Sequence, residues 1–345
     1  MDWANSQKAD FRSMGISRFS RSGPDAWKLP ASVFVLVFIL LSAVQFFVEM
    51  PMLILERFME GGGWIEILIV SLYGAFLAHK MRDPDRAPRW RSISWTLFSV
   101  VFFSQLLLGL MGFDRFLMTG DLHLPVPAMI LAGPVYRWEV SFMTLLFIST
   151  VVLTGPAWCS HLCYFGAIDH QLAGQSRKKK RYTDKRSLRY TLLFVFIAAA
   201  LSMRIAGVEA RMATLAGIMA GVIGLLVMFF FSTRQKQMVH CTRFCPVGTL
   251  VMHLKKINPF RMDISSECTA CLACVPHCRH GALNARAIER GKPDDSCTYC
   301  GDCLAGCHRG SIRYNFPGLN SRNARNLYLV LTISLHAVFM ALGRI

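Results

Sequence analysis

Long apolar runs separated by short basic ones limit this chain more than any other feature. A helix needs about 20 apolar residues to span the hydrocarbon core, with a range of roughly 17 to 25. Seven segments approach that length: Ala31 to Leu55, Gly63 to His79, Ile93 to Gly112, Trp138 to Gly155, Tyr190 to Gly207, Met212 to Phe231 and Leu327 to Leu342. The second is the least apolar at its ends, where Glu66 and His79 lie. Only 17% of residues are charged, against about a quarter in soluble domains, and the mean hydropathy is +0.38. The expected fold is a multi-pass α-helical membrane protein of about seven spans, with a polar, Cys-rich α+β module inserted before the last of them.

The formal charge of +17 does not point to nucleic acid, because the Lys and Arg cluster beside apolar runs, where they orient spans and meet anionic lipid. The basic segments are the N-terminus, Met81 to Arg91, Arg177 to Arg189 with its RKKKR run, and Arg234 to Arg261. Seven spans put all four on one side together with the Cys-rich module. By the positive-inside rule that side is the cytoplasm of a bacterial inner membrane. The first 28 residues lack a secretory signal core, so the twelve cysteines are expected to face a reducing compartment. The loop Phe113 to Arg137 is apolar and proline-bearing and is expected to lie on or dip into the membrane surface. Gly217 and Gly221 form a GxxxG, read as helix packing.

All twelve cysteines fall into groups of two, two, four and four. CTACLACVPHC supplies Cys268, Cys271, Cys274 and Cys278; CTYCGDCLAGC supplies Cys297, Cys300, Cys303 and Cys307. Each is C-x2-C-x2-C-x3-C, a spacing in which three thiolates wrap one [4Fe–4S] cluster and the fourth ligates its neighbour. The expected ligand sets are therefore Cys268, Cys271, Cys274 and Cys307 for one cluster, and Cys297, Cys300, Cys303 and Cys278 for the other. Zinc also uses C-x2-C pairs but seldom three cysteines in a row at this spacing, twice. Cys303 to His308 reads C-x3-C-H, not the C-x-x-C-H of c-type haem attachment. Arg279 and His308 occupy the position after the last Cys where Pro is common.

A second pattern occurs twice, each time directly after an apolar run: WCSHLCYFGA with Cys159 and Cys163, and HCTRFCPVGT with Cys241 and Cys245. The likeness reads as an internal repeat, and repeated halves of membrane proteins often meet at a functional interface. Four converging thiols fit a third metal centre, a redox-active dithiol, or packing at the membrane edge.

In the order C-x3-C-x-x-G, C-x3-C-P-x-G, two cubane motifs and a final span, the chain from roughly Leu106 onward resembles the NapH, NosR and CcoG group of membrane polyferredoxins, with NapH-like quinol dehydrogenases as the nearest fit. Tyr164 stands where that group has Pro in the first loop. The resemblance implies electron transfer from the quinone pool, through two [4Fe–4S] clusters, to a redox partner protein or partner subunits. Segments 1–30, 31–256, 257–318 and 319–345 divide the chain into a cytoplasmic N-terminal segment, a transmembrane helical domain with two C-x3-C loops, a two-cluster ferredoxin-like domain and a C-terminal transmembrane helix. Quinol oxidation needs groups that take up protons, so the residues considered are Asp121, His123, Glu139 and Glu209, with Glu49, Asp114 and Arg204 nearby in kind. His336 in the last span reads as an interhelical hydrogen-bond donor rather than a haem ligand. The rival functions are a redox sensor or metal-centre assembly factor using the clusters and C-x3-C thiols, and a structural anchor.

Overall fold

The structure is a computed structural model that describes residues 26–116, 126–174 and 186–342. Asp121, His123 and most of the Arg177 to Arg189 segment lie outside the described residues. Among the described residues, seven helices are long and apolar enough to cross a membrane. They are α1 (Lys28–Phe47), α2 (Gly62–Met81), α3 (Ala87–Leu110), a span from Met143 to Leu162 that contains α5 (Phe142–Thr154), α7 (Arg186–Ile205), α8 (Ala210–Val227) with its extension to Gln235, and α11 (Ser321–Leu342). Shorter helices fill the connections: α4 (Met129–Arg137), α6 (Tyr164–Ala173), α9 (Pro246–Leu254) and α10 (Ala285–Glu289).

Helix ends depart from the expected spans for local reasons. The first ends at Phe47, not Leu55: Val48 is extended, and Pro51 disfavours helix at the residue before it, so a separate helix, Ile54–Phe58, follows. Trp138 does not open the fourth span. It is the left-handed cap of α4, φ 63°, and the span opens at Ser141, whose hydroxyl accepts the Thr144 N–H, the usual role of an N-cap serine. The second half of the Phe113 to Arg137 loop is α4 itself, packed against α7. Glu66, at the edge of the second expected span, is buried in α2 and accepts the Leu55 N–H at 2.8 Å.

α1, α2 and α11 pack together through Val33, Val37, Ile67, Ile333 and Ala337, all essentially inaccessible. On α8, Gly217, Gly221 and Gly224 are buried. A Cβ on Gly221 would come within 2.7 Å of Val126, and one on Gly224 within 2.9 Å of His240, so this row of small residues packs against neighbouring segments as the GxxxG reading expects.

The Cys-rich module is built on β1 (Arg261–Ile264) and β2 (Ile312–Asn315), antiparallel with Arg261 opposite Asn315 and Ile264 opposite Ile312. Side chains alternate across this ribbon, so Met262, Ile264, Ile312 and Tyr314 face inward and are buried. Tyr328 of α11 enters the same core, its ring 5.0 Å from Tyr314 and 5.3 Å from Phe260. The last apolar helix thus begins in the module and ends among the other spans. Each such ring pair adds about 0.5–1.5 kcal/mol beyond its area burial.

Candidate iron–sulfur sites

The two C-x3-C segments fold alike. Trp158–Leu162 and His240–Phe244 are π-helical turns, which bulge a helix and recur at functional sites. Each is followed by an extended cysteine that caps the next helix: Cys163 before α6, Cys245 before α9. The Cys163 sulfur accepts the Gly166 N–H and the Cys245 sulfur the Gly248 N–H, both at 3.4 Å. The glycines are required by close approach. A Cβ on Gly166 would lie 2.6 Å from the Trp95 ring and 3.1 Å from the Cys159 carbonyl, and one on Gly248 2.9 Å from the Cys241 carbonyl. This is the physical content of C-x3-C-x-x-G. Tyr164, the departure from Pro in the first loop, sits at the first helical position, where Pro is favoured because the N–H has no intrahelical partner. Tyr164 stacks instead on Phe102, centroids 4.3 Å apart.

The four loop cysteines lie within electrostatic range of one another: Cys241 feels Cys159, Cys163 and Cys245. Burial pushes the Cys163 thiol up to about 12 and raises Cys241 and Cys245 as well. Such thiols stay protonated without a cationic partner, and a thiophilic group would bind by displacing those protons. Asp169 on α6 braces the quartet from behind. Its carboxylate accepts from the Ser232 hydroxyl at 2.5 Å and from the Cys241 N–H at 3.0 Å, and burial raises it to about 6.

In the module, Cys268, Cys271, Cys274 and Cys307 line one cavity, partly open to solvent. Cys303 is electrostatically coupled to Cys300, Cys278 and Cys297. The three-plus-one exchange between motifs is therefore present as proximity. The backbone that wraps each set is left-handed at matching positions: Ala270 and Leu272 in the first motif, Tyr299 and Gly301 in the second, φ between 52° and 78°. Non-glycine residues rarely adopt this conformation, and such strain gathers at functional sites. The exchanged cysteines match too, with the Ala282 N–H donating to the Cys278 sulfur and the Ser311 N–H to the Cys307 sulfur, each at 3.2 Å. Among the described residues, no group of three or more His, Cys, Asp or Glu is spaced to hold a single metal ion. Cys268, Cys271, Cys274 and Cys307 line one cavity instead, and that set of four cysteines, with an N–H aimed at the Cys307 sulfur, fits a cubane.

Sequence reasoning missed the residues that join module to helices. Arg91 of α3 is 1% exposed and donates through Nε and Nη2 to the two carboxylate oxygens of Asp302 at 2.8 and 2.5 Å, and through Nη1 to the Ser160 carbonyl at 2.8 Å. Asp302 lies between Cys300 and Cys303. Arg279 donates to the His170 carbonyl at 2.9 Å, which is what the cation does where Pro is common. Lys255 donates to the carbonyls of Asp295 and Cys297, at 2.5 and 3.0 Å. It lines a second, partly open cavity together with Cys159, Cys241 and Cys297. Two loop cysteines and one module cysteine thus face one space. The early signals of the joining residues were Arg91, a charge at the mouth of an apolar run, and Arg279, where Pro is common.

Of the proton-handling candidates that the structure describes, none is brought to this site. Glu139, Glu209 and Glu49 are exposed and lie at the ends of the helices remote from the cysteine loops, about 30 Å away by helix rise. Arg204 is near Glu209 at that end. The Asp114 side chain is not among those described.

A family model described as a 4Fe-4S binding domain matches residues 136–183 and 215–256. These two segments carry the C-x3-C loops, and they support an iron–sulfur protein of ferredoxin type. The uncharacterized protein MJ0749 of Methanocaldococcus jannaschii is 24% identical over 243 residues, covering 65% of this chain and 86% of its own length. No solved structure matches.

Proposed function

We propose that this chain is a quinol-linked electron carrier of the NapH-like kind. In this reading it holds two [4Fe–4S] clusters in the module and a third iron–sulfur centre on Cys159, Cys163, Cys241 and Cys245. The observation that carries the reading is the placement of the 4Fe-4S family match on the two loops, whose thiols share a cavity with Cys297 of the module. Iron–sulfur groups supply one-electron steps. The chain's own residues set their order. The loop quartet lies at the ends of the spans; Cys278, Cys297, Cys300 and Cys303 come next, held by Arg91, Arg279 and Lys255. Cys268, Cys271, Cys274 and Cys307 are outermost, with Cys271 exposed. Electrons enter from a quinol in the bilayer and leave to a redox partner at the outer set. The module and the basic loop ends lie on the cytoplasmic side of a bacterial inner membrane, and the basic segments contact anionic lipid.

Iron and sulfide counts with an EPR-monitored redox titration, followed by anaerobic quinol, test this. About twelve irons, and cubane signals that quinol reduces, are expected. About eight irons would remove the loop centre. Zinc in place of iron would end the proposal.

A further inference from the structure

Glu49, Glu139 and Glu209 lie far from the cysteines, but another group lies against them. His336 of α11 is 2% exposed. Its Nδ1 is 3.0 Å from the carbonyl oxygen of His161, in the middle of the Cys159–Cys163 turn. A carbonyl can only accept, so Nδ1 carries the hydrogen and Nε2 is left as the acceptor. That nitrogen is 3.1 Å from the Tyr73 hydroxyl of α2, which therefore donates to it. The Tyr73 oxygen keeps its lone pairs for another donor.

Tyr73 is half-buried and stands where the packed face of α2 meets its outer face: Ser71 and Gly74 are buried, while Leu72 and Phe76 are 54% and 47% exposed. Eight residues separate it from Met81, whose carbonyl Arg325 binds at the module end, so it lies about 12 Å down the helix. That depth is well inside a hydrocarbon layer of about 30 Å. A tyrosine between the packed and outer faces of α2, its hydroxyl backed by a buried imidazole acceptor one hydrogen bond from the loop that carries two candidate iron ligands, is what oxidation of a lipid-soluble hydroquinone requires.

We infer that Tyr73 receives the hydroxyl of a membrane-dissolved hydroquinone and that His336 takes up the proton through it. This rests on the reading that a quinol is the electron donor. As the hydroquinone O–H bond breaks, its proton passes to the Tyr73 oxygen and the Tyr73 proton to His336 Nε2. Two electrons leave singly to oxidised iron–sulfur groups. His336 passes the first proton on to bulk water before the second hydroxyl follows the same route, so hydroquinone gives quinone, two electrons to the iron–sulfur groups and two protons to water. Tyr73 touches the substrate; His336 is a positioning and proton-accepting residue that acts through it.

The test uses the full chain with its iron in detergent. Duroquinol and dithionite serve as alternative reductants, and binding of 2-heptyl-4-hydroxyquinoline N-oxide is followed by fluorescence quenching. Tyr73→Phe is expected to lower the maximal duroquinol-driven rate tenfold or more and to weaken inhibitor binding at least threefold. Iron content, EPR signals and dithionite reduction should stay unchanged. His336→Gln is expected to lower the maximal rate while inhibitor binding stays within twofold; if that variant fails to fold, Tyr73→Phe decides alone. Wild-type rate and wild-type inhibitor binding in Tyr73→Phe would overturn the inference and leave the quinol reading standing. If wild-type protein accepts electrons from dithionite but not from duroquinol, the quinol reading fails and the inference fails with it.

Discussion

Replacing Arg91 by Met should release the Cys-rich module from the helices. Arg91 and Asp302 are 1% and 9% exposed at the side chain and meet at 2.5 Å, and Arg91 also holds the Ser160 carbonyl. Removing one partner of a buried pair costs about 3–5 kcal/mol, because the remaining charge is left in a medium that solvates it poorly. At about 1.4 kcal/mol per factor of ten, the undocked population should rise roughly a hundredfold or more. Hydrogen exchange read on peptides spanning residues 297–307, together with iron content, should show faster exchange and early loss of iron from the inner set. The double variant Arg91→Met with Asp302→Leu should recover most of the protection, since an apolar pair of similar size removes the stranded charge. Arg86→Met is the control: Arg86 and Asp83 form an exposed pair at 3.5 Å, and such pairs contribute about 0–1 kcal/mol. Unchanged exchange and iron in Arg91→Met, or a double variant no better than the single one, would refute the account of the joint.

Three further outcomes follow from the site. If the cysteines exchange between motifs, Cys307→Ala should remove the cubane signal that depends on Cys268, and Cys278→Ala the one that depends on Cys300, as EPR of the single variants would reveal. Gly248→Ala puts a Cβ 2.9 Å from the backbone oxygen of Cys241; overpacking of this kind costs about 1–3 kcal/mol, so the loop quartet should lose iron while the module keeps its own, by iron count and EPR. His170 is held neutral, well below its ordinary pKa, first by burial and then by the Arg91 charge. A base depressed in the folded state contributes stability that is present above its unfolded pKa of about 6.5 and is lost as pH falls below it. Once corrected for the intrinsic exchange rate, protection of the module should therefore fall on acidification below about pH 6, and His170→Gln should flatten that profile.

The seven spans were legible because length and apolarity alone define them. Their ends were not, because Ser141 as a cap and Trp138 in a left-handed turn are decisions of local geometry made within longer apolar text. The likeness of the two C-x3-C segments was legible as a repeat, and the segments do fold alike. What could not be read was anything that depends on contacts between distant positions. Arg91 looks like the last residue of a basic loop until Asp302, 211 positions on, is found against it. Asp169 sits unremarked in α6 until α8 and the second loop close over it. The acidic residues of the remote loops drew attention for being charged near apolar runs, yet the helices that carry them end about 30 Å from the cysteines.

The module's two motifs are alike in sequence but are put to different use by what surrounds them. At the position after the fourth cysteine, the first motif has Arg279, which is bound to the His170 carbonyl, and the second has His308, which is exposed beside the outer cavity. At the second left-handed position the first motif has Leu272, 43% exposed, and the second has Gly301, where a Cβ would lie 2.7 Å from the Tyr314 hydroxyl. The outer loop therefore tolerates a side chain that points to solvent, whereas the inner loop is pressed against the core that Tyr328 shares with the membrane helices. A symmetric two-site module fixed in this way has one face toward the loop quartet and one toward solvent. Its polarity is set by Arg91, Arg279 and Lys255 rather than by the cysteines themselves.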